Sequence, residues 1–314
     1  MKNIFIKIIS WYLNAFHPSN KVRDFLTWPV ASRILGKRYD EVTVLKNGLK
    51  MKTDLGDILG RFVIFYGPKV KYFWEPQTTR LMEVLIKNVH TAIIAGSHIG
   101  YLALMARRAM IKTEGRLFAF EPVSYLHKIS AENFKLNENI GKINLENKAL
   151  SSASGKVTIS VDSLRSAIVT ADSSENVENV EAISVDEFIK KEHISSMDFM
   201  LLDVEGHEPA VFTGMKNLLN KNYPQDIIFE YSPQIKGSLG DLKDYLLPLR
   251  NFGYHFYVIA DDYALERVKV SAEDVTLYDL AENIRKFFHH NYFNVLATKR
   301  DAEELKKLSI KIIF

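Results

Sequence analysis

From about residue 88 onward, short apolar runs of strand length alternate with segments of helical periodicity. HTAIIAG is followed by YLALMARRAM, RLFAFEP by SYLHKISAENFKLNE, and then comes INLENKAL. Strand, helix, strand, helix, strand is the signature of parallel βαβ units. The pattern resumes with ISVDEFIKKEH (helix), SMDFMLLDVEG (strand), PAVFTGMKNLLNK (helix), DIIFEYS (strand), LKDYLLPLRNFG (helix), YHFYVIA (strand) and YFNVLATKR as a final strand. The expected fold is therefore α/β, a doubly wound and mostly parallel sheet, with Gly253 as the stop of its last helix. The Ser- and Asn-rich stretch 151–182 reads as an excursion over the sheet edge.

The first 80 residues have a different texture. VTVLKNGLKMKTD reads as a hairpin about Asn47-Gly48, and YFWEPQTTRLMEVLIKN as a helix with Leu81, Val84 and Leu85 on its apolar stripe. We expect a cap region over 1–80 and the main domain over 81–314. The cap carries the basic charge: residues 1–52 hold ten Lys and Arg against Asp24, Asp40 and Glu41, in a chain whose formal net charge is only +3. With no cysteine, disulfides and thiolate chemistry are excluded.

The N-terminal segment reads as an amphipathic helix ending near Pro18, with Asn3, Lys7, Ser10, Asn14, His17 and Lys21 on one stripe and Ile4, Ile8, Ile9, Trp11 and Phe16 among the apolar residues around it. It is too short to span a bilayer. Either it docks on the protein's own core, or it lies in a membrane interface with basic residues facing anionic lipid. The expected location is the cytoplasm, with peripheral contact at the inner face of the membrane through residues 1–20 under the second reading. Nothing in the chain points to nucleic acid.

In a doubly wound sheet ligands bind beyond the carboxyl ends of the strands. Here those ends carry GSHIG at 96–100, Glu121-Pro122, Asp203 to Gly206, and Glu230. A glycine turn allows close backbone approach, and an acid after the second strand can accept hydrogen bonds from ribose hydroxyls. The spacing G-x-x-x-G lacks the third glycine of a dinucleotide site, so adenosine joined to an amino acid, which has no phosphate to cradle, is a ligand that could fit here. Asp203 and Glu205, two apart on an extended segment, project from one side. Asp203, Glu205, His207 and Glu208 also include metal-ligand types, but in no standard ligand spacing, and no metal is expected. Tyr263, Tyr278, His289 and His290 could meet a sugar or be plain surface residues.

The succession W-E-P (74–76), G-S-H-I-G-Y (96–101), F-A-F-E-P (118–122), A-L-S-S-A-S-G (149–155), L-D-V-E-G-H-E (202–208) and F-E-Y (229–231) resembles the FkbM-type methyltransferase family. The resemblance implies a class I fold, seven-stranded with one antiparallel strand. It further implies S-adenosylmethionine as cofactor and methyl transfer to a hydroxyl of a sugar, a polysaccharide or glycolipid precursor, or a related natural product. By the same resemblance Gly96, Ser97, His98, Gly100, Tyr101, Glu121, Ala149, Leu150 and Asp203 bind the cofactor. Asp203, Glu205 and Glu230 stand at the reacting end. The sequence departs from the family pattern at Ile94, where an acid is usual, at His98, where Asn is usual, and at Leu201, where Lys is common. A methyltransferase-like binding protein without catalysis is the alternative these departures leave open.

Overall fold

The computed structural model describes residues 2–16, 27–36, 41–161, 166–168, 177–232, 242–260, 275–281 and 292–314. The chain begins with α1 (Lys2–Phe16), α2 (Trp28–Leu35), the antiparallel hairpin β1 (Val42–Val44) and β2 (Lys50–Lys52), α3 (Ile58–Phe65) and α4 (Pro76–Leu85). The hairpin turns where expected, with Gly48 at φ +87°. The alternating section follows as β3 (Thr91–Ala95), α5 (Tyr101–Ala109), β4 (Arg116–Phe120), α6 (Ser124–Lys135) and β5 (Asn144–Glu146). Next come β6 (Ala149–Leu150), β7 (Gly155–Val161), β8 (Ser166–Ile168), β9 (Val177–Ile183), α7 (Val185–Lys191), β10 (Phe199–Leu202), α8 (Glu208–Thr213), α9 (Lys216–Asn220) and β11 (Asp226–Tyr231). The chain closes with α10 (Leu242–Arg250), β12 (His255–Ile259), β13 (Val275–Asp279), β14 (Phe293–Thr298), α11 (Ala302–Lys307) and β15 (Ile310–Ile313).

The main sheet has nine strands in the order β15-β13-β12-β14-β11-β10-β3-β4-β5. Its parallel half winds outward from β3 through β4 to β5, then restarts on the other side with β10 and β11. Strand order therefore reverses between β3 and β10. All five residues of β3, all four of β10 and all six of β11 are buried, as strands covered on both faces must be. Alternate residues supply opposite cores. Ile94, Leu117, Ala119 and Leu201 pack with the N-terminal helices, whereas Ile93, Phe118, Phe120 and Leu202 pack with Phe188, Val211 and Tyr245 of α7, α8 and α10.

Four expectations are corrected. The sheet has nine strands rather than seven because β13 and β15, which pair in parallel, extend the edge beyond β12. Antiparallel β14 is thus joined by two further strands running against the parallel set. The third strand leaves the main sheet at Glu146, where the Asn147 side chain donates to the carbonyls of Glu121 and Pro122 at 2.9 and 3.0 Å. Ala149 and Leu150 then pair with Ala182 and Ile183 in a separate sheet of order β6-β9-β7-β8, built from the 151–182 excursion. The helix expected over PAVFTGMKNLLNK is two helices, broken at Gly214, where a Cβ would lie 2.1 Å from the Ser151 carbonyl oxygen.

The polar stripe of α1 does not face outward as a unit. Ser10 Oγ and Asn14 Nδ2 donate to the Phe65 carbonyl at 2.6 and 3.0 Å, satisfying the C-terminal end of α3. Ile9 and Leu13 are buried beside them, while Ile4, Ile8, Trp11 and Phe16 stay exposed. The helix docks on the protein through Ile9, Ser10, Leu13 and Asn14, with Phe5, Ile6 and Tyr12 packed beside them. No helix among the described residues is long and apolar enough to cross a membrane.

Candidate active site

The reversal of strand order opens a crevice between the ends of β3 and β10, the place such a sheet offers a ligand. Gly96 follows β3 with φ +75°, and its N–H donates to the Phe120 carbonyl at 3.0 Å. A Cβ at this position would lie 1.7 Å from the backbone oxygen of Asp203. Only glycine lets the two strand ends approach this closely.

Glu121, just past β4, is 4% exposed and accepts from the N–H groups of His98 at 2.7 Å and Val123 at 3.0 Å. Each carboxylate oxygen keeps a second acceptor site for a ligand hydroxyl. Burial pushes its pKa up to about 7 against the opposing pull of His98 and the two backbone bonds. His98 itself has φ +51°, and its Nε2 lies 3.0 Å from Asp57 Oδ2. Burial works against its charge, but the bond to Asp57 and the charges of Asp57, Glu121 and Glu205 outweigh it and hold the imidazole pKa above its usual value. Asp57 reaches this point because it caps α3, accepting from Gly60 N–H at 2.7 Å. Burial opposes its ionisation, yet the His98 partnership lowers its pKa overall.

On the β10 side, Asp203 N–H donates to the Ala95 carbonyl at 3.0 Å, continuing the strand register by one residue. Beyond it Glu205 has φ +53° and Gly206 φ +87°, so the period-two geometry expected for Asp203 and Glu205 does not apply. Both nevertheless line the crevice, brought there by the left-handed turn. Burial is the main reason the Asp203 carboxyl is held well above the usual range, followed by the negative fields of Glu230, Glu205, Glu75 and Glu208.

Nine of the expected residues line one crevice: Gly96, Ser97, His98, Tyr101, Glu121, Ala149, Leu150, Asp203 and Glu205. Gly100 does not. With φ +90° at the start of α5, its place for a Cβ is taken by the Phe134 ring at 2.6 Å, so it serves packing. Glu230 also lies off the crevice wall, where it is buried and accepts from Ser232 Oγ. His207 Nε2 meets Ser151 Oγ at 2.9 Å, and Glu208 accepts from Val204 N–H at 3.1 Å, so both brace the turn. Among the described residues no group of acids and histidines is placed to hold a metal ion. Tyr263, His289 and His290 lie outside the described residues, and Tyr278 in β13 packs against the core.

Sequence reasoning missed the contribution of the cap. Ile58, Leu59 and Trp74 line the crevice, and Asp57 supplies a carboxylate to the loop although Ile94, where the family has one, is buried in the core. Glu75, whose φ is +39°, joins the field on Asp203 and accepts from Asn294 Nδ2 at 3.1 Å. The W-E-P run was the available signal for it.

A family model described as the Methyltransferase FkbM domain matches residues 95–256. The chain belongs to the FkbM methyltransferase family. That span runs from the end of β3 into β12 and holds every expected site residue. Among solved structures, the FkbM methyltransferase of Methylobacillus flagellatus KT is similar at 15% identity and TM-score 0.37, over 54% of this chain and 39% of that one. An O-methyltransferase from Bacillus cereus, solved with SAH, is similar at 11% identity and TM-score 0.39, over 95% of this chain and all (100%) of that one. The O-methyltransferase TomG from Streptomyces achromogenes, solved with SAM, is similar at 9% identity and TM-score 0.37, over 72% and 80%. No curated protein matches the chain.

Proposed function

We propose that this protein is an S-adenosylmethionine-dependent O-methyltransferase acting on a hydroxyl of a sugar or of a polysaccharide or glycolipid precursor. The observation that carries the reading is one crevice holding Glu121 at one end of a glycine turn and Asp203 with Glu205 at the other. The donor set fits the cofactor. Glu121 suits vicinal ribose hydroxyls, apolar Ala149, Leu150 and Leu126 suit an adenine ring, and the carboxylates suit a cation. Ser97 Oγ and His98 Nδ1 are buried without a hydrogen-bond partner among the described residues, leaving polar atoms for an amino-acid end to engage.

When bound, the cofactor supplies an electrophilic methyl group on a sulfonium sulfur. The chain's own part is to hold and orient. Glu121 and the Gly96 turn fix the nucleoside, and His98, its pKa raised by Asp57 against burial, offers its Nδ1 to the amino-acid end. Asp203, with a pKa raised by burial and by four neighbouring acids, is suited to take the proton of an acceptor hydroxyl. Positioning contributes most, since a carboxylate is a weak base toward an alcohol. A glycolipid acceptor would be met at a membrane surface, and the N-terminal helix is the element suited to that contact.

The test is Asp203→Asn. Calorimetry with S-adenosylmethionine and S-adenosylhomocysteine should show binding retained, while transfer of labelled methyl to saccharide acceptors falls by about 10²–10⁴-fold. Undiminished turnover would remove Asp203 from the mechanism. Absence of cofactor binding in the unaltered protein would favour the non-catalytic alternative.

A further inference from the structure

Among the described residues, nothing covers the outer face of the two N-terminal helices. Ile4, Ile8, Trp11 and Phe16 of α1 are 55–64% exposed, and Val30 and Ile34 of α2 are 44% and 50% exposed. α1 and α2 touch each other, and both anchor on α3, α1 through Ser10 and Asn14 and α2 through Trp28, whose ring stacks on Phe65 at 5.3 Å. Ser10 and Asn14 are thus spent inward on a carbonyl, while Ile4, Ile8, Trp11 and Phe16 point outward. This inverts what water alone would select.

The charge on the same helices identifies the occupant. Lys2, Lys7 and Arg33 are their ionisable groups, with no Asp or Glu in either, and Lys7 and Arg33 are exposed. An apolar strip bearing Trp and only cations fits an interface of acyl chains beneath anionic headgroups. A second copy fits poorly, because a two-fold contact would set Lys7 and Arg33 of the two copies on facing surfaces with no acid on either helix to pair them. We infer that α1 and α2 together form a docking surface for an anionic lipid bilayer, lying flat with Ile4, Ile8, Trp11, Phe16, Val30 and Ile34 in the interface.

The structure adds a mechanical consequence. α3, on which both helices rest, begins at Asp57, the partner of His98, and its Ile58 and Leu59 line the crevice. A bilayer held by α1 and α2 is two contacts away from the site, which suits a lipid-linked acceptor. The docking itself does not depend on methyl transfer, so it can fail or hold independently of the proposed activity.

The experiment uses the full chain with vesicles of phosphatidylcholine, with and without phosphatidylglycerol, read by cosedimentation and by tryptophan emission. Trp28 is buried and Trp74 is half-buried on the crevice wall, so a blue shift lost in the Trp11 variant reports the exposed Trp11. The expected result is binding to the anionic vesicles that weakens with salt. The double variant Ile8→Ser/Trp11→Ser should reduce it at least tenfold, and Ile34→Ser should weaken it further. Because these side chains are exposed, the variants should keep the melting temperature, which circular dichroism checks. Lys7→Glu should reduce binding while leaving every apolar contact in place. Absence of binding, binding indifferent to lipid charge, or binding unchanged in these variants would overturn the inference. So would a dimer in solution without lipid that Ile8→Ser/Trp11→Ser converts to monomer.

Discussion

Among single residues, Glu121 couples the site to stability most directly. Its folded pKa of about 7 stands above the ordinary 4.5, so the folded state binds a proton the unfolded chain has already lost. Stability from this group is complete below pH 4.5 and is lost as pH rises to about 7. The difference corresponds to on the order of 3 kcal/mol. Glu121→Gln cannot titrate, so urea denaturation at pH 5 and pH 8 should show a smaller loss of stability for the variant by about that amount. The comparison across pH cancels the fixed cost of turning an amide toward one of the two backbone N–H donors. Cofactor affinity should fall roughly tenfold to a hundredfold, as expected for lost hydrogen bonds to a charged acceptor. A variant whose stability fell with pH as steeply as that of the unaltered protein would show that this carboxyl does not titrate in the window.

For the elements, what could be read in the sequence depended on how local the determining signal is. TAIIA, RLFAF, FMLL and DIIFEY could be assigned as strands because burial on both faces leaves each with a short apolar run, AIIA, LFAF, FMLL and IIF. The Asn47-Gly48 turn was equally plain. β13 and β15 escaped because VTLYD and IKII are short, and the pairing that joins them links residues 35 apart, as in Val275–Ile310. Glu121, Gly96 and Asp203 were legible from their strand ends, whereas Asp57 was not, since its relation to His98 exists only once α3 is laid over the crevice. Gly100 shows a related difficulty: a glycine that admits a ligand and one that admits a phenyl ring look alike in sequence, and here the Phe134 ring occupies the place of a Cβ. Gly100→Ala sets a Cβ against Phe134 and forces a left-handed φ, so it should cost about 1–3 kcal/mol in denaturant unfolding. If the glycine serves packing, affinity for S-adenosylhomocysteine should change by less than about threefold provided the variant folds. A large affinity loss at unchanged stability would return Gly100 to the ligand.

Over the whole molecule, the cap and the sheet share one core. A single apolar cluster runs from Ile9, Leu13, Trp28 and Leu35 through Phe62 and Phe65 to Ile94, Leu117, Leu201 and Leu277. The family match begins only at residue 95, so the matched span lacks one covering layer of its own sheet. Cap and sheet are expected to unfold together. The chain offers a direct measurement, because its three tryptophans, Trp11, Trp28 and Trp74, all lie within the first 80 residues. Tryptophan emission reports the cap, and far-ultraviolet circular dichroism reports the sheet and helices as a whole. The two melting curves should coincide. Leu13→Ala opens a cavity at a fully buried position (0% exposed) and should cost about 2–5 kcal/mol, moving both curves by the same interval although the residue lies far along the chain from every strand of the main sheet. A variant in which emission moves alone would mean that the cap melts from a sheet that stands without it. Asp57 would then be a guest at the crevice instead of a part of its wall.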